Sequence, residues 1–234
     1  MWLIELGSCE STNTWALEHL SELHHGDVVF TRNQTAGRGQ FDRIWLSSSS
    51  VLTASIMLEL SIEQLSGFSL IAGLAVIYAI ETLLPDQRGK LCLKWTNDIF
   101  AKGRKLSGVL CESRIRANHA QIVVGIGINC EAVPETVNNA ISLQEISAYV
   151  PDREALLERL RVCLMQLCDR TVSELLPEIR VRDFLVGKCI VFDTGTEQLT
   201  GEATGIDQAG QLLIRVGDEV KPHRSGRVLA IHFD

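Results

Sequence analysis

The stretch from Gly67 to Leu84 constrains the fold more than any other part of this chain. It reads GFSLIAGLAVIYAIETLL, is apolar almost all round, and is closed by Pro85-Asp86. A helix without a polar face must be covered, and a sheet is the natural cover. Its nearly uncharged part, Phe68 to Ile80, is too short to span a bilayer. The chain supplies candidate strands for that sheet. Trp2 to Leu6, Val28 to Thr31, Val51 to Leu60 and Leu91 to Trp95 are β-branched or apolar runs. Lys105 to Arg114 and Gln121 to Ile128 are two more, joined by a polar turn at Arg116 to His119.

Further helices follow from caps and spacing. Ser11-Thr12-Asn13 precedes Ala16, Leu17, Leu20 and Leu23 on one face, ended by His25-Gly26. Pro134 to Asn139 reads as a loop. Ser142 with Glu145 predicts a capping box, and Asp152 caps a helix predicted to run to about Leu176. Composition shifts after Pro177. From Lys188 onward the segments are short, β-rich and broken by Gly, which predicts five strands in a small barrel. A chain of 234 residues accommodates one medium domain with an appendage, so the expected units are 1–181 and 182–234.

Charge and cysteines exclude several classes. The net charge is −7 and there is no Lys/Arg run, which argues against a nucleic-acid surface. The N-terminus has neither the basic start nor the apolar core of a signal peptide. Seven cysteines, an odd number without a C-x-x-C pair, argue against a disulfide framework or a zinc site. Buried free thiols in a reducing cytoplasm are the expectation. The six histidines show no ligand spacing, and His24 and His25 read as loop residues.

The chemistry-bearing stretches are a Gly/Arg loop in Thr35 to Trp45, TAGRGQFDRIW; the set Lys94-Trp95-Thr96-Asn97-Asp98; the cations Arg104-Lys105 before Gly108; and Gly125-Ile126-Gly127-Ile128-Asn129. Each has a plain reading: a glycine-turned connection, a turn, a solvated face, close strand packing. Together, a Gly-rich backbone with Arg38, Arg43 and Lys105 can surround a polyphosphate and neutralise charge as pyrophosphate leaves. Such transfer depends on positioning and electrostatics, so the lack of an evident triad is expected.

Five blocks, Ser11-Thr12-Asn13, TAGRGQFDRIW (35–45), KWTNDIFAKGRKLSG (94–108), VVGIGINC (123–130) and GIDQAGQL (205–212), stand in an order that resembles the biotin–protein ligase family, biotin–[acetyl-CoA-carboxylase] ligase. The resemblance implies an α+β fold: a mixed β-sheet with helices, of the class II synthetase/biotin ligase type, followed by a small SH3-like β-barrel. It implies two steps with ATP, Mg²⁺ and biotin: formation of biotinyl-5′-adenylate, then transfer to a lysine of the biotin carboxyl carrier protein.

Carried onto this chain, the resemblance gives Ser11, Thr12 and Gln34 to the ureido ring. It gives Gly37, Arg38 and Gly39 to a loop that orders over biotin and adenylate, with Gln40 in that loop at the adenylate. Arg43 faces phosphate and Trp45 walls the valeryl tail. Lys105 contacts carboxylate and α-phosphate, and Gly108 gives backbone contact. Asn129 meets the nucleotide and its metal or phosphates, and Asp98 the incoming amine. The metal ligands are not specified.

There are departures from the family pattern. Gln40 replaces a basic residue, Thr96 replaces a proline, and Ala140 stands where some members stack an aromatic on adenine. An N-terminal winged helix-turn-helix has no room before Ser11, so no DNA partner is expected. A homodimer through the catalytic sheet is compatible with the resemblance. Two alternatives are a lipoate or octanoyl ligase or transferase, whose R-x-x-G-G-G-x-V-x-H sequence is absent, and a non-catalytic module that kept the fold.

Overall fold

The computed structural model of the chain describes residues 2–131 and 139–232. The expected loop at 134–139 therefore lies outside the described residues, save Asn139. A seven-stranded sheet forms the larger layer, in the order β1-β2-β3-β7-β6-β5-β4. The strands are β1 (Leu3–Leu6), β2 (Val28–Thr31), β3 (Val51–Ser61), β4 (Leu91–Lys94), β5 (Asp98–Ala101), β6 (Arg104–Arg116) and β7 (His119–Asn129). β1 and β2 are parallel and the other neighbours antiparallel, so the sheet is mixed as expected.

The alternation of the strands divides the core. Val28 and Phe30 of β2, with Leu52, Ala54, Ile56 and Leu58 of β3, face the apolar helix α2 (Phe68–Leu83). Val29, Met57 and Val123 face the other way, onto α1 (Thr12–Glu18). Helix α4 (Arg153–Leu167) covers α2 from outside, so α2 is enclosed by sheet and helix. A short α3 (Leu143–Ile146) carries the expected capping box of Ser142 and Glu145.

Three expectations are corrected. α1 ends at Glu18, not near His25. The His19 ring stacks on Trp15 at 4.0 Å and its Nδ1 meets the Trp15 carbonyl at 2.8 Å, and Leu20 and Leu23 reach the core from a turn. The single helix expected from Asp152 is two, α4 and α5 (Val172–Val181). Thr171 and Glu174 form a second capping box that restarts the helix, and α5 continues through Pro177. β5 was not foreseen. Lys102 and Gly103, at φ 49° and 75°, make a two-residue turn that folds it onto β6.

The C-terminal strands β8 (Cys189–Asp193), β9 (Gln198–Ile206), β10 (Leu212–Val216), β11 (Glu219–His223) and β12 (Arg227–His232) form an antiparallel sheet, β11-β10-β9-β8-β12. The expected barrel is not closed: β11 and β12 are the edges of an open sheet. The physical reason is where its apolar face goes. Ile190, Phe192, Ala203, Ile206, Leu212 and Ile214 join the same core as the larger layer, and Phe192 of β8 also meets the His223 ring of β11 at 5.1 Å. Trp95 Nε1 donates to the Gly210 carbonyl (3.0 Å), and Arg182, which follows α5, is paired with buried Glu81 at 2.7 Å. No helix among the described residues is long and apolar enough to cross a membrane.

Candidate active site

The pocket lies on the α1 side of the sheet, where small residues line up across three strands. The pairing register sets Thr53 of β3 opposite Gly127 of β7 and Gly108 of β6, and Ser55 opposite Gly125 and Leu110. The two glycines of the G-I-G-I-N run have distinct tasks. A Cβ on Gly125 would lie 2.4 Å from Asn13 Oδ1, and one on Gly127 would lie 2.3 Å from the Trp45 indole. Glycine at both positions lets a polar side chain and an aromatic wall rest on bare backbone.

The N-terminus of α1 supplies a buried polar cluster. Thr12 N–H donates to Gln34 Oε1 at 3.0 Å, and Gln34 Nε2 donates to Ser47 Oγ at 2.9 Å. Ser55 Oγ donates to Asn13 Oδ1 at 2.6 Å and lies 2.8 Å from Thr12 Oγ1. Ser11 caps the helix. Ser11, Thr12, Asn13 and Ser55 are buried, which polar side chains tolerate only when hydrogen-bonded.

The Gly/Arg loop crosses the mouth. Trp45 N–H donates to the Gly37 carbonyl (2.9 Å) and Gly39 N–H to the Arg43 carbonyl (2.7 Å), which folds the loop on itself. Gly37 packs against Gln34 and the Trp45 backbone rather than facing the cavity. Trp45 Nε1 is buried without an acceptor among the described residues. Lys105 Nζ lies 5.4 Å above the Trp45 ring and 2.5 Å from Asp98 Oδ1. In this state Asp98 neutralises Lys105.

The electrostatics of the lining are one-sided. Among the described residues, Arg38, Arg43, Lys94, Lys105 and Arg227 line the pocket with one lining carboxylate, Asp98, while Glu112 beside it pairs with Arg38, in a chain of net charge −7. Burial pushes the Lys94 ammonium below the usual lysine range. Lys105, Arg43 and Arg227 add to that, and Asp98 opposes it. Such a cavity favours an anion.

Most of the expected residues converge: Ser11, Thr12, Gln34, Arg38, Gly39, Gln40, Arg43, Trp45, Asp98, Lys105 and Gly108 all line the pocket. Asn129 does not. Its Nδ2 donates to the Ile141 (3.1 Å) and Lys105 (3.3 Å) carbonyls, tying β7 to the strand that carries Lys105. Ala140 bridges Lys105 in a parallel pair, so the backbone there sits beside the site.

Residues not singled out from the sequence are Lys94, Asn13, Ser55, Glu112 and Arg227. Lys94 and Asn13 stood inside recognised blocks. Ser55 and Arg227 carry no local signal, and Arg227 arrives from β12 by tertiary packing alone. All seven cysteines are free. The thiol of Cys111, on β6, is pushed up to about 12 by burial and Cys130 up to about 11, so neither is a ready nucleophile. No group of three or more His, Cys, Asp or Glu among the described residues is arranged to hold a metal.

With this geometry established, residues 6–129 match the model of the biotin/lipoate A/B protein ligase family. The chain belongs to that family. It is 31% identical to the Escherichia coli bifunctional ligase/repressor BirA over 231 residues, which cover 94% of this chain and 71% of that protein. It is 30% identical to the Mycobacterium tuberculosis biotin–[acetyl-CoA-carboxylase] ligase, over 87% of this chain and 79% of that one. Among solved structures, the Aquifex aeolicus biotin protein ligase in complex with biotin and ATP superposes with a TM-score of 0.80. It is 29% identical, over 96% of both chains. As a member of this family, the chain presents its matched glycines and cations on one continuous pocket, with β12 of the C-terminal sheet closing the far side.

Proposed function

We propose that this chain is an ATP-dependent biotin–protein ligase, with a catalytic unit over 1–181 and a C-terminal unit over 182–234. In the first step a carboxylate oxygen of biotin attacks the α-phosphorus of ATP and pyrophosphate leaves, giving biotinyl-5′-adenylate. In the second, a lysine amine of a biotin carboxyl carrier protein attacks the acyl carbon, AMP leaves with the bonding pair, and the amine loses a proton. The observation that carries this reading is the polarity of one pocket. A neutral hydrogen-bonding end at Ser11, Thr12 and Gln34 suits a ureido ring. A cationic end at Arg38, Arg43 and Lys105 suits carboxylate and phosphates.

The residue roles follow from that polarity. Trp45, whose indole lies on the bare backbone of Gly127 beside Gly108, supplies the apolar wall between the two ends that an alkyl tail would meet. Lys105 is the main electrophilic stabiliser as charge builds at the α-phosphate, with Arg38 and Arg43 from the loop. Binding the anion gives Lys105 a second partner and leaves Asp98 available to orient or deprotonate the incoming amine. Gly37, Gly39 and Gln40 shape the loop over the adenylate. Asn129 acts by fixing the strand end beside Lys105.

Mg²⁺ is the metal that assists nucleotide chemistry of this class. The described residues offer it little of their own, because Asp98 is the one lining carboxylate and is paired with Lys105. The ion would be carried on the phosphates. The same reading places the protein in the cytoplasm, in keeping with its seven free thiols. It gives it no nucleic-acid partner and allows a homodimer through an edge of the seven-stranded sheet. The test is ATP–pyrophosphate exchange with biotin and, separately, with lipoate. Biotin-dependent exchange is expected. Its absence refutes the ligase reading, and exchange with lipoate alone moves the chain to the lipoate branch.

A further inference from the structure

One carboxylate outside this set joins the two ends of the pocket. Glu112, on β6, accepts from Asn13 Nδ2 at 2.9 Å through Oε2. The same oxygen lies 2.7 Å from Arg38 Nη2, and Oε1 lies 3.0 Å from that nitrogen. The three residues come from helix, loop and strand. Asn13 is otherwise immobilised: its Oδ1 accepts from Ser55, its Nδ2 also donates to the Leu110 carbonyl (3.2 Å), and its side chain rests on Gly125. Arg38 sits between two glycines on a loop whose large apolar side chains are exposed. A guanidinium on such a segment has many orientations, and hydrogen bonds to a fixed carboxylate remove most of them.

We infer that Glu112 is a positioning residue. It clamps the loop's Arg38 to the buried Asn13–Ser55 cluster, so that the anion-facing cation is set before ligand arrives and is coupled to the ring-binding end. The inference rests on the ligase reading of the pocket. Glu112 touches no reacting atom, so its loss falls on binding. Ordering Arg38 then has to be done by the ligand, which weakens affinity without touching the chemical step.

Glu112→Ala is expected to raise KM for ATP and biotin by about tenfold while kcat stays within about threefold. Glu112→Ala on an Arg38→Ala background is expected to add little, because one residue acts through the other. An ion pair with only a structural role leaves KM unchanged, which overturns the inference, and so does an additive effect of the two substitutions on KM, which would mean that Glu112 does not act through Arg38. So does a fall in kcat at constant KM. A readout independent of activity is tryptic cleavage after Arg38 and Arg43 without ligand, which is expected to be faster in Glu112→Ala. Equal rates overturn the clamp. If Glu112→Ala does not fold, Glu112→Gln, which keeps the shape and loses the charge, is read in the same assays. If wild-type protein shows no biotin-dependent exchange, the ligase reading fails, and the cleavage comparison still decides whether Glu112 holds the loop.

Discussion

On the floor of the pocket, Asn13, Thr53 and Ser55 are 0–4% exposed. In the loop across its mouth, Phe41, Ile44 and Leu46 are 57%, 76% and 61% exposed. The floor is held by strand pairing on both sides of β7 and by hydrogen bonds that leave its buried polar groups satisfied. The loop is held by three backbone hydrogen bonds within itself, by two from Thr35 and Ala36 to the Cys9 and Glu10 carbonyls, by Trp45 lying on Gly127, and by the Arg38–Glu112 pair. Segments with few buried apolar contacts open at low free-energy cost. The difference teaches how the site divides its labour: the neutral end is fixed by the sheet, whereas the loop that carries Arg38 and Arg43 over the cationic end is held by few contacts, the Arg38–Glu112 pair among them.

That contrast can be broken or sharpened by substitution. The largest effect is expected at Lys105, which the rigid β6 carries into the cationic end. Lys105→Ala is expected to raise the barrier to adenylate formation by ~2–4 kcal/mol, as for loss of one preorganised oxyanion partner. Single-turnover adenylation measures it, and an unchanged rate removes Lys105 from its role. Next comes the floor itself. Gly125→Ala drives a Cβ against Asn13, which Ser55 and Leu110 hold in place. The expected loss is about 1–3 kcal/mol in unfolding free energy from overpacking. A denaturant midpoint equal to wild type would show that the floor yields as readily as the loop.

A smaller effect is expected from Lys94. Its pKa is lowered by burial below the ordinary 10.5, so between the folded and unfolded values the unfolded chain binds the extra proton. Stability therefore rises with pH through that window and the penalty is present in full below it. Lys94→Met removes it and is expected to be more stable than wild type near neutral pH, a gain that shrinks toward pH 10. Melting curves of both proteins across that range test the sign. The smallest effect belongs to the loop: Ile44→Ser, at 76% exposure, is expected to change stability by less than about 0.5 kcal/mol. A larger loss would mean the loop is packed like the floor.

Much of this was legible in the chain because it is local. The alternation in Val51–Ser61, the all-round apolar Phe68–Leu83 and the caps at Ser11, Ser142 and Asp152 each act over a few residues. The order of five short motifs pointed to the family, and most of their residues do meet in one pocket. What was misread sat where two local rules competed. Thr171 and Glu174 restart a helix inside a continuous apolar pattern, and a two-residue turn at Lys102-Gly103 hides a strand inside a polar stretch.

By itself, then, the sequence determined the helix that needs a sheet, the Gly/Arg loop and the cations able to meet an anion, because these depend on residue type and short-range spacing. Only the tertiary structure decided which glycine makes room for Asn13 and which for Trp45. It also decided that the Asn129 amide nitrogen is tied to the Lys105 and Ile141 carbonyls, that β12 brings Arg227 to the site, and that the C-terminal sheet stays open on the shared core. The reason is register. Strand pairing puts Ser55, Gly125 and Leu110 in one row, and a slip of one residue would turn that row to the other face.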